Sequence, residues 1–156
     1  MKFNFIVIPL VIIVTAYLGS RYTKKGLKNW YGNLKKPSWT PDGKTIGEIW
    51  TFLFLLIGFA VLWFWNVPKF GWWHYLVGGV LIVNAFLNLY WNKIFFVEHN
   101  FSKALKWMKV LNITSVIAAV IIFPFSNISA IAFLPYIIWV GVATKLTKEI
   151  WKLNKN

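Results

Sequence analysis

The longest uncharged stretch of the chain reads VLNITSVIAAVIIFPFSNISAIAFLPYIIWVGVAT, over residues 110–144. As a single helix these 35 residues would extend about 52 Å, far beyond the roughly 30 Å of a bilayer's hydrocarbon core. The stretch must therefore fold back on itself, and Pro124 begins the only turn-forming sequence near its middle. It predicts two membrane-spanning helices, near 104–123 and 127–150.

The composition of the whole chain indicates a membrane protein. Of its 156 residues 58% are hydrophobic and 13% are charged, about half the charged share of soluble domains. Three further uncharged stretches, 3–20, 49–68 and 70–92, each have the length of one bilayer crossing. We therefore predict an all-α membrane protein, a single domain over 1–156, built as a five-transmembrane-helix bundle with a long structured first loop over 21–45. The first three spans are expected near 3–20, 46–66 and 72–96.

The basic residues predict how the five helices are oriented. The net charge is +13, and five spans place fourteen of the 17 lysines and arginines on one face of the membrane. These are Arg21, Lys24, Lys25, Lys28, Lys35, Lys36 and Lys44 in the first loop, Lys103, Lys106 and Lys109 around the third loop, and Lys145, Lys148, Lys152 and Lys155 at the C-terminus. The other face has Lys2 and Lys69, and Lys93 lies inside the third span towards the basic face. The positive-inside rule therefore places the first loop and the C-terminus in the cytoplasm and the N-terminus outside. Anionic lipid headgroups account for the charge, and no nucleic-acid partner is expected.

The chain lacks the residues that several kinds of site require. It has no cysteine, which excludes disulfides, thiolate nucleophiles and zinc–thiolate sites. Its two histidines, His74 and His99, are far apart, and its four acidic residues are too few for a metal site or a catalytic triad. The interiors of the predicted spans lack the acids and bases of an ion-coupled pump. We predict no metal ligand and no catalytic residue of a conventional enzyme.

Two amides mark an inward face of the third span. Asn84, Asn88, Trp91 and Phe95 follow the spacing i, i+4, i+7, i+11, which puts them on one side of a helix. Lipid cannot satisfy the donors and acceptors of an amide, so this side must face the bundle interior. The two asparagines either join helices by hydrogen bonds or contact a ligand.

Small residues repeat every seven positions along a neighbouring face of the same span, at Gly71, Gly78 and Ala85. Such a strip lets another helix backbone approach closely. It serves either packing inside the bundle or a dimer seam, and we favour the dimer.

Other spans carry aromatic and small residues at helical spacing. The faces are Ala132, Tyr136, Trp139, Ala143 and Leu146 on the fifth span, Trp107, Leu111 and Thr114 on the fourth, and Trp50, Phe54 and Val61 with Gly58 on the second. Each face is either a packing stripe or one wall of a pocket. Four such helices turned inward would enclose a cavity for a large, flat, apolar ligand.

Eleven residues of the chain are tryptophan. Indole is favoured where hydrocarbon meets headgroups, which explains Trp63, Trp65, Trp72, Trp73 and Trp151 as interface anchors. Trp30 and Trp39 belong to the first loop, and Trp91 lies beside Asn88. The other three, Trp50, Trp107 and Trp139, lie on faces that we expect to converge.

The first loop contains an unusual sequence, Trp30-Tyr31-Gly32-Asn33-Leu34-Lys35-Lys36-Pro37-Ser38-Trp39-Thr40-Pro41. A loop this long in so small a protein usually has a function. Its aromatic residues and prolines suit either a rigid cap over the end of the bundle or a stiff interfacial linker.

These residues resemble the signature of a known family. The pattern Trp30-Tyr31-x-x-Leu34-x-Lys36-Pro37-x-Trp39-x-Pro41 is followed by Trp50-Thr51-x-Leu53 with Gly58, Asn88-x-x-Trp91-x-x-x-Phe95-Phe96, Trp107, Thr114, and Pro135-Tyr136-x-x-Trp139-x-x-x-Ala143-Thr144 with Leu146. It resembles, in order along nearly the whole chain, the translocator proteins, also called tryptophan-rich sensory proteins or peripheral benzodiazepine receptors.

The resemblance implies a five-helix bundle, often a homodimer, in a bacterial cell membrane, with a ligand pocket closed by the first loop. It implies no obligatory cofactor, and as ligands porphyrins such as protoporphyrin IX, isoquinoline carboxamides and benzodiazepine-type drugs. Some bacterial members are reported to promote light-dependent porphyrin degradation, which here would involve Trp50 and Trp139. By motif position the ligand-binding residues would be Tyr31, Pro41, Trp50, Asn88, Trp91, Trp107, Trp139 and Ala143.

The chain departs from the family pattern at three places. Asp42 stands where the family has a second proline after Trp39, which is expected to loosen the first loop. Phe54 replaces a tyrosine and so removes a hydroxyl. The cholesterol-recognition pattern near the C-terminus requires a tyrosine after Leu146, where this chain has Thr147, so cholesterol binding is not predicted.

Three functions follow as hypotheses. The leading one is a porphyrin-binding membrane protein in tetrapyrrole handling or stress sensing, with no conventional enzymatic activity beyond light-dependent porphyrin degradation. The alternative is a transporter of tetrapyrroles or other apolar substrates across the membrane. A scaffold whose tryptophans only pack would show no saturable ligand binding.

Overall fold

The computed structural model describes residues 3–67 and 71–155, and within these residues it contains helices and no strand. The helices are α1 (Asn4–Leu27), α2 (Gly43–Trp65), α3 (Trp72–Phe96), α4 (Phe101–Ile122), α5 (Asn127–Ala132) and α6 (Leu134–Leu153), with a 3₁₀ turn at Tyr31–Asn33. Five segments are long and apolar enough to cross a membrane, α5 and α6 counting together as Asn127–Leu153. The all-α fold with five spans is confirmed. Lys2 and Lys69, on which the orientation depends, lie outside the described residues, and the orientation stays a prediction.

Helix α1 continues beyond the apolar stretch that predicted it. The expected end was residue 20, but the helix extends to Leu27, so the connection to α2 comprises 28–42 rather than 21–45. The first charged residue marks where a chain leaves hydrocarbon, whereas a helix ends where its packing partners and hydrogen bonds end. The expectation of a first loop over 21–45 was therefore too long.

The last turns of α1 pack directly on α3. The Thr23 hydroxyl donates a hydrogen bond to Asn92 Oδ1 at 3.0 Å. A Cβ at Gly19 would lie 3.3 Å from Asn92 Nδ2, and a Cβ at Gly26 would collide with the backbone carbonyl of Phe96. The two glycines therefore allow α1 and α3 to touch at this end of the bundle.

The fifth span is broken at Phe133. The sequence predicted one helix over 127–150, but α5 ends after six residues and α6 begins at Leu134. Pro135 lies in the first turn of α6, where its missing N–H costs nothing. In a continuous helix its ring would clash with the carbonyl of Ile131. The Phe133 N–H instead donates to Ala130 at 3.1 Å, the shorter spacing of a 3₁₀ turn.

A buried hydrogen-bond network joins α3, α4 and α6 at mid-bundle. Asn84 Nδ2 donates to Thr114 Oγ1 at 2.9 Å and to Ser115 Oγ at 2.8 Å, both on α4. The Tyr136 hydroxyl of α6 donates to Asn84 Oδ1 at 3.2 Å and accepts from Asn88 Nδ2 at 3.0 Å. The packing interpretation of the two asparagines is therefore confirmed.

The small-residue strip of α3 is partly used inside the chain. Gly71 precedes the helix as its N-cap, and a Cβ at Gly78 would lie 2.9 Å from the Trp65 ring. Gly78 thus makes room for an indole of α2 rather than for a second copy of the chain. A homodimer stays a prediction.

Apolar clusters form the core of the bundle. The end formed by the C-terminus of α2 and the N-terminus of α3, here the far end, contains Ala60, Phe64, Val77, Ile122 and Phe133. Trp65 and Trp73 pack against this cluster, whereas Trp63 and Trp72 are exposed as interface anchors would be. The opposite end, here the loop end, comprises the C-termini of α1, α3 and α6 and the N-termini of α2 and α4.

Candidate ligand-binding cavity

A cavity of about 420 Å³, here cavity A, lies between α1, α2, α3 and α6 on the loop-end side of the bundle. One part of its wall is aromatic, formed by Tyr31, Trp50, Phe54, Trp91, Phe95, Phe96 and Trp139. Another part is polar, formed by Thr15, Ser20, Thr23, Lys24, Thr51, Asn88, Asn92 and Thr147. The volume is within the range of small-molecule sites, roughly 300–1,000 Å³.

Most residues predicted for the ligand site line this cavity. Tyr31, Pro41, Trp50, Asn88, Trp91, Trp139 and Ala143 all belong to its wall. The loop supplies the first two, and α2, α3 and α6 supply the others. Asn88 therefore has two roles, because it donates to Tyr136 and also faces the cavity.

Trp107 does not line cavity A, although the sequence predicted that it would. Its ring packs against Tyr90 and Phe86 of α3, with centroids 4.9 and 6.1 Å away. On the same face of α4, Leu111 belongs to the core and Thr114 accepts from Asn84. That face is a packing stripe, and α1 supplies the fourth wall of the cavity instead.

The contribution of α1 was missed in the sequence. Thr15, Gly19 and Thr23 line cavity A at the spacing i, i+4, i+8, with Ser20 and Lys24 beside them. This stripe of small and hydroxyl residues, in a helix whose first half is largely aliphatic, was a signal for an inward face. It was overlooked because none of its members is aromatic.

The aromatic rings in cavity A contact one another. The Trp50 ring lies 6.5 Å from the Trp91 ring and 5.9 Å from Phe54, measured between centroids. Trp91 stacks on Phe95 at 5.7 Å with an interplanar angle of 15°. Offset and stacked rings of this kind form a rigid apolar surface suited to a planar ligand.

Two indole N–H groups in this wall lack an acceptor. Within the described part of the chain, Trp91 Nε1 and Trp139 Nε1 are buried and make no hydrogen bond. The Trp91 side chain is only 7% exposed. A buried donor without a partner costs about 1–3 kcal/mol, so a ligand acceptor that reaches either N–H after a small rotation of its ring gains binding free energy.

The described wall of cavity A carries positive charge only. Among its described lining residues Lys24 is the only charged one, and it is exposed at the mouth. Burial raises the pKa of the Tyr31 phenol, so this hydroxyl stays protonated and able to donate. The Lys36 ammonium lies 4.8 Å above the Tyr31 ring. A ligand acid at the mouth would therefore meet cations and donors and no carboxylate of the lining.

The first loop is bound to α6 by polar contacts. Trp39 Nε1 donates to Glu149 Oε2 at 2.8 Å, and the Lys145 ammonium lies 5.4 Å from the Trp39 ring centroid. Lys35 and Asn154 are joined by two further hydrogen bonds. These contacts hold the loop, which supplies Tyr31 and Pro41 to the wall of cavity A, against α6.

Comparison with known proteins agrees with this geometry. The model of the TspO/MBR family matches residues 5–152. The chain belongs to the TspO/MBR family. It is similar to the tryptophan-rich protein TspO of Archaeoglobus fulgidus, 30% identical over 93% of both chains, and to that of Bacillus cereus, 33% identical over 81% of this chain and 82% of the relative. The human translocator protein is 26% identical over 88% of this chain and 82% of its own.

The departures from the TspO/MBR pattern now have structural positions. Asp42 caps the N-terminus of α2, because its carboxylate accepts from the backbone N–H groups of Lys44 and Thr45. Asp42 therefore fixes the start of α2, and the looser first loop expected from the sequence stays a prediction. Phe54 lies in the cavity wall, and Thr147 is buried there at 4% exposure.

Proposed function

We propose that this TspO/MBR protein binds porphyrins of the protoporphyrin IX class in cavity A and acts in tetrapyrrole handling or stress sensing. The observation that supports the proposal best is that one cavity combines a stacked aromatic wall with unpartnered indole donors and a cation at its mouth. A porphyrin has the complementary parts, namely a flat apolar ring and carboxylates on one edge. Family membership agrees with this ligand class.

The cavity suggests how such a ligand would be oriented. The ring would lie along Trp50 and Trp91, with its carboxylates towards Lys24. An acceptor on the ligand could meet the N–H of Trp91 or Trp139. The carbonyl of an isoquinoline carboxamide would satisfy the same donors, which supports that second ligand class.

A titration of tryptophan fluorescence with protoporphyrin IX tests the proposal. Bound porphyrin should quench the emission, and Trp50→Phe with Trp139→Phe should weaken binding about tenfold, since each change removes indole contact area and one removes a donor. Trp107→Phe is the matched control, because this indole lies outside cavity A. Equal affinity of the double variant and the control would show that the ligand does not bind in cavity A.

Light-dependent porphyrin degradation is the only chemistry that we propose. Trp50 and Trp139, both in the wall of cavity A, are the residues that the family resemblance assigns to this photochemistry, and neither is a conventional catalyst. Illumination of the porphyrin complex should bleach porphyrin absorbance faster than in the double variant saturated with ligand. Equal bleaching rates would assign the photochemistry to the porphyrin alone.

A second candidate function is transport of a tetrapyrrole or another apolar substrate. A second cavity adjoins cavity A and extends towards the far end of the bundle, which favours a path across the membrane. The name of the human relative agrees with this function. Vectorial uptake into proteoliposomes is the test, and tight binding without flux would exclude transport.

A further inference from the structure

A second cavity of about 610 Å³, here cavity B, lies between α1, α2 and α3 in the far half of the bundle. Along α1 it extends from Phe3 to Thr15, about 18 Å at a rise of 1.5 Å per residue. That length is slightly more than half of a hydrocarbon core of roughly 30 Å. Cavity B is therefore a slot about one leaflet deep.

The slot lies beyond the close contact between α1 and α3. Gly19 and Gly26 bring the two helices together at the loop end. Towards the far end α1 contributes the aliphatic side chains of Val7, Val11 and Ile12 to the slot, opposite Gly79 and Ile82 of α3. The walls are apolar along most of this length, which suits a hydrocarbon chain.

The two cavities adjoin at mid-bundle. Thr15, Phe54 and Asn88 line both of them, so the wall between cavity A and cavity B is one side chain thick there. The residue at this boundary on α2 is Phe54, where the family pattern has a tyrosine. The boundary is apolar on that side, and a chain passing it would leave no hydroxyl without a partner.

We propose that cavity B receives an apolar chain carried by the same ligand whose ring system occupies cavity A. The ligand class is then an amphiphile with a flat ring and an alkyl or isoprenoid substituent, the chain running past Phe54 between α1 and α3. The proposal rests on the ring site of the proposed function. Lipid is as apolar as the slot, so the chain adds little affinity. The slot instead affects specificity. A cavity A without a passage into cavity B would exclude a ring that carries such a chain.

A pair of probes with the same ring tests the assignment in nanodiscs. The first is protoporphyrin IX and the second is its monoester with a long-chain alcohol, which keeps one free carboxylate. The variant is Gly79→Leu, because Gly79 lines cavity B and a Cβ there meets no atom within 4 Å. The control is Gly141→Leu, at an exposed glycine of α6 that belongs to the lining of neither cavity.

We expect the parent protein to bind both probes with similar affinity. Gly79→Leu should weaken the ester about tenfold, as filling an occupied slot does, and leave protoporphyrin IX unchanged. Gly141→Leu should change neither. Equal binding of the ester to Gly79→Leu and to the parent would overturn the assignment of cavity B, whereas failure of both probes to bind the parent would overturn the ring site itself.

Photocrosslinking locates the chain directly. An ester with a diazirine at the end of its chain should label peptides that contain Val7, Val11 or Ile82, and excess protoporphyrin IX should abolish the labelling. Labelling that persists under this competition would mean that the chain enters the slot from the bilayer without a ring bound in cavity A. That result would overturn the proposal. Absence of labelling at saturating ester would mean that the slot is closed, by a second copy of the chain or by repacking, and would also overturn the proposal.

Discussion

The side chain of Asn154 forms two hydrogen bonds with the backbone of Lys35. Asn154 Nδ2 donates to the Lys35 carbonyl at 2.9 Å, and the Lys35 N–H donates to Asn154 Oδ1 at 3.0 Å. An amide matches a peptide group in this way because it presents one donor and one acceptor side by side. The pair links the first loop to the C-cap of α6, at the loop end of the bundle.

Asn154→Ala should therefore loosen the first loop. Two exposed hydrogen bonds contribute about 1 kcal/mol together, so amide hydrogen exchange in residues 28–42 should become about fivefold faster. Porphyrin should also dissociate faster, since the loop supplies Tyr31 and Pro41 to the cavity wall. Lys148→Ala, at an exposed position of the same helix, is the control. Unchanged exchange in both variants would show that the loop is held by other contacts.

Gly26→Ala should destabilise the protein, because the added methyl group would collide with the Phe96 carbonyl. Backbone cannot give way as a flexible side chain does, and overpacking of this kind costs about 1–3 kcal/mol. Gly79→Ala is the matched control, since nothing lies within 4 Å of its Cβ. The control should be neutral or more stable by up to about 1 kcal/mol. Thermal unfolding in detergent measures both.

Gly26→Ala should also lower porphyrin affinity, because α1 forms one wall of cavity A. A Gly26→Ala protein that unfolds at a lower temperature but binds porphyrin normally would show that the contact between α1 and α3 does not position the ligand site.

Tyr136→Phe should destabilise the buried network between α3, α4 and α6. The change removes the partner of Asn88 Nδ2 and a donor to Asn84 Oδ1. Interhelical hydrogen bonds in membranes contribute about 0.6 kcal/mol on average, and leaving amides unpaired raises the expected loss to about 1–2 kcal/mol. Tyr17→Phe, at a side chain 59% exposed, is the control. Equal unfolding temperatures for parent and Tyr136→Phe would mean that the two asparagines find other partners.

Sequence periodicity predicted which side of each helix faces inward, but it could not predict which helices are neighbours. Trp139 and Trp107 both lie on such inward faces. Trp139 reaches cavity A, whereas Trp107 packs against Tyr90 on the other side of α3. The difference lies in tertiary arrangement, because α1 rather than α4 completes the cavity.

In α1, too, the sequence pattern could not show which small residues line the cavity. Its hydrophobicity predicted a membrane span but gave no strong indication of a ligand-facing side. Thr15, Gly19 and Thr23 are short, and their contribution depends on α3 approaching closely enough to enclose the space. The break at Phe133 is different, since Pro135 was visible in the sequence and its effect on a continuous helix could have been predicted.

Acid should weaken the start of α2 through Asp42. Its carboxylate accepts from the Thr45 hydroxyl and from the backbone N–H groups of Thr45 and Lys44, and these hydrogen bonds hold its pKa below the ordinary value of 3.8. Because the pKa is lower in the folded state than in the unfolded state, the stabilisation is complete above pH 3.8. It is lost as the pH falls through the folded-state pKa.

Asp42→Asn isolates this titration, because asparagine caps a helix about as well as aspartate and carries no proton to titrate in this range. Unfolding temperatures of parent and variant should agree at neutral pH. As the pH falls below about 4 the parent should lose more stability than the variant. If both lose the same amount, the acid sensitivity does not arise from Asp42.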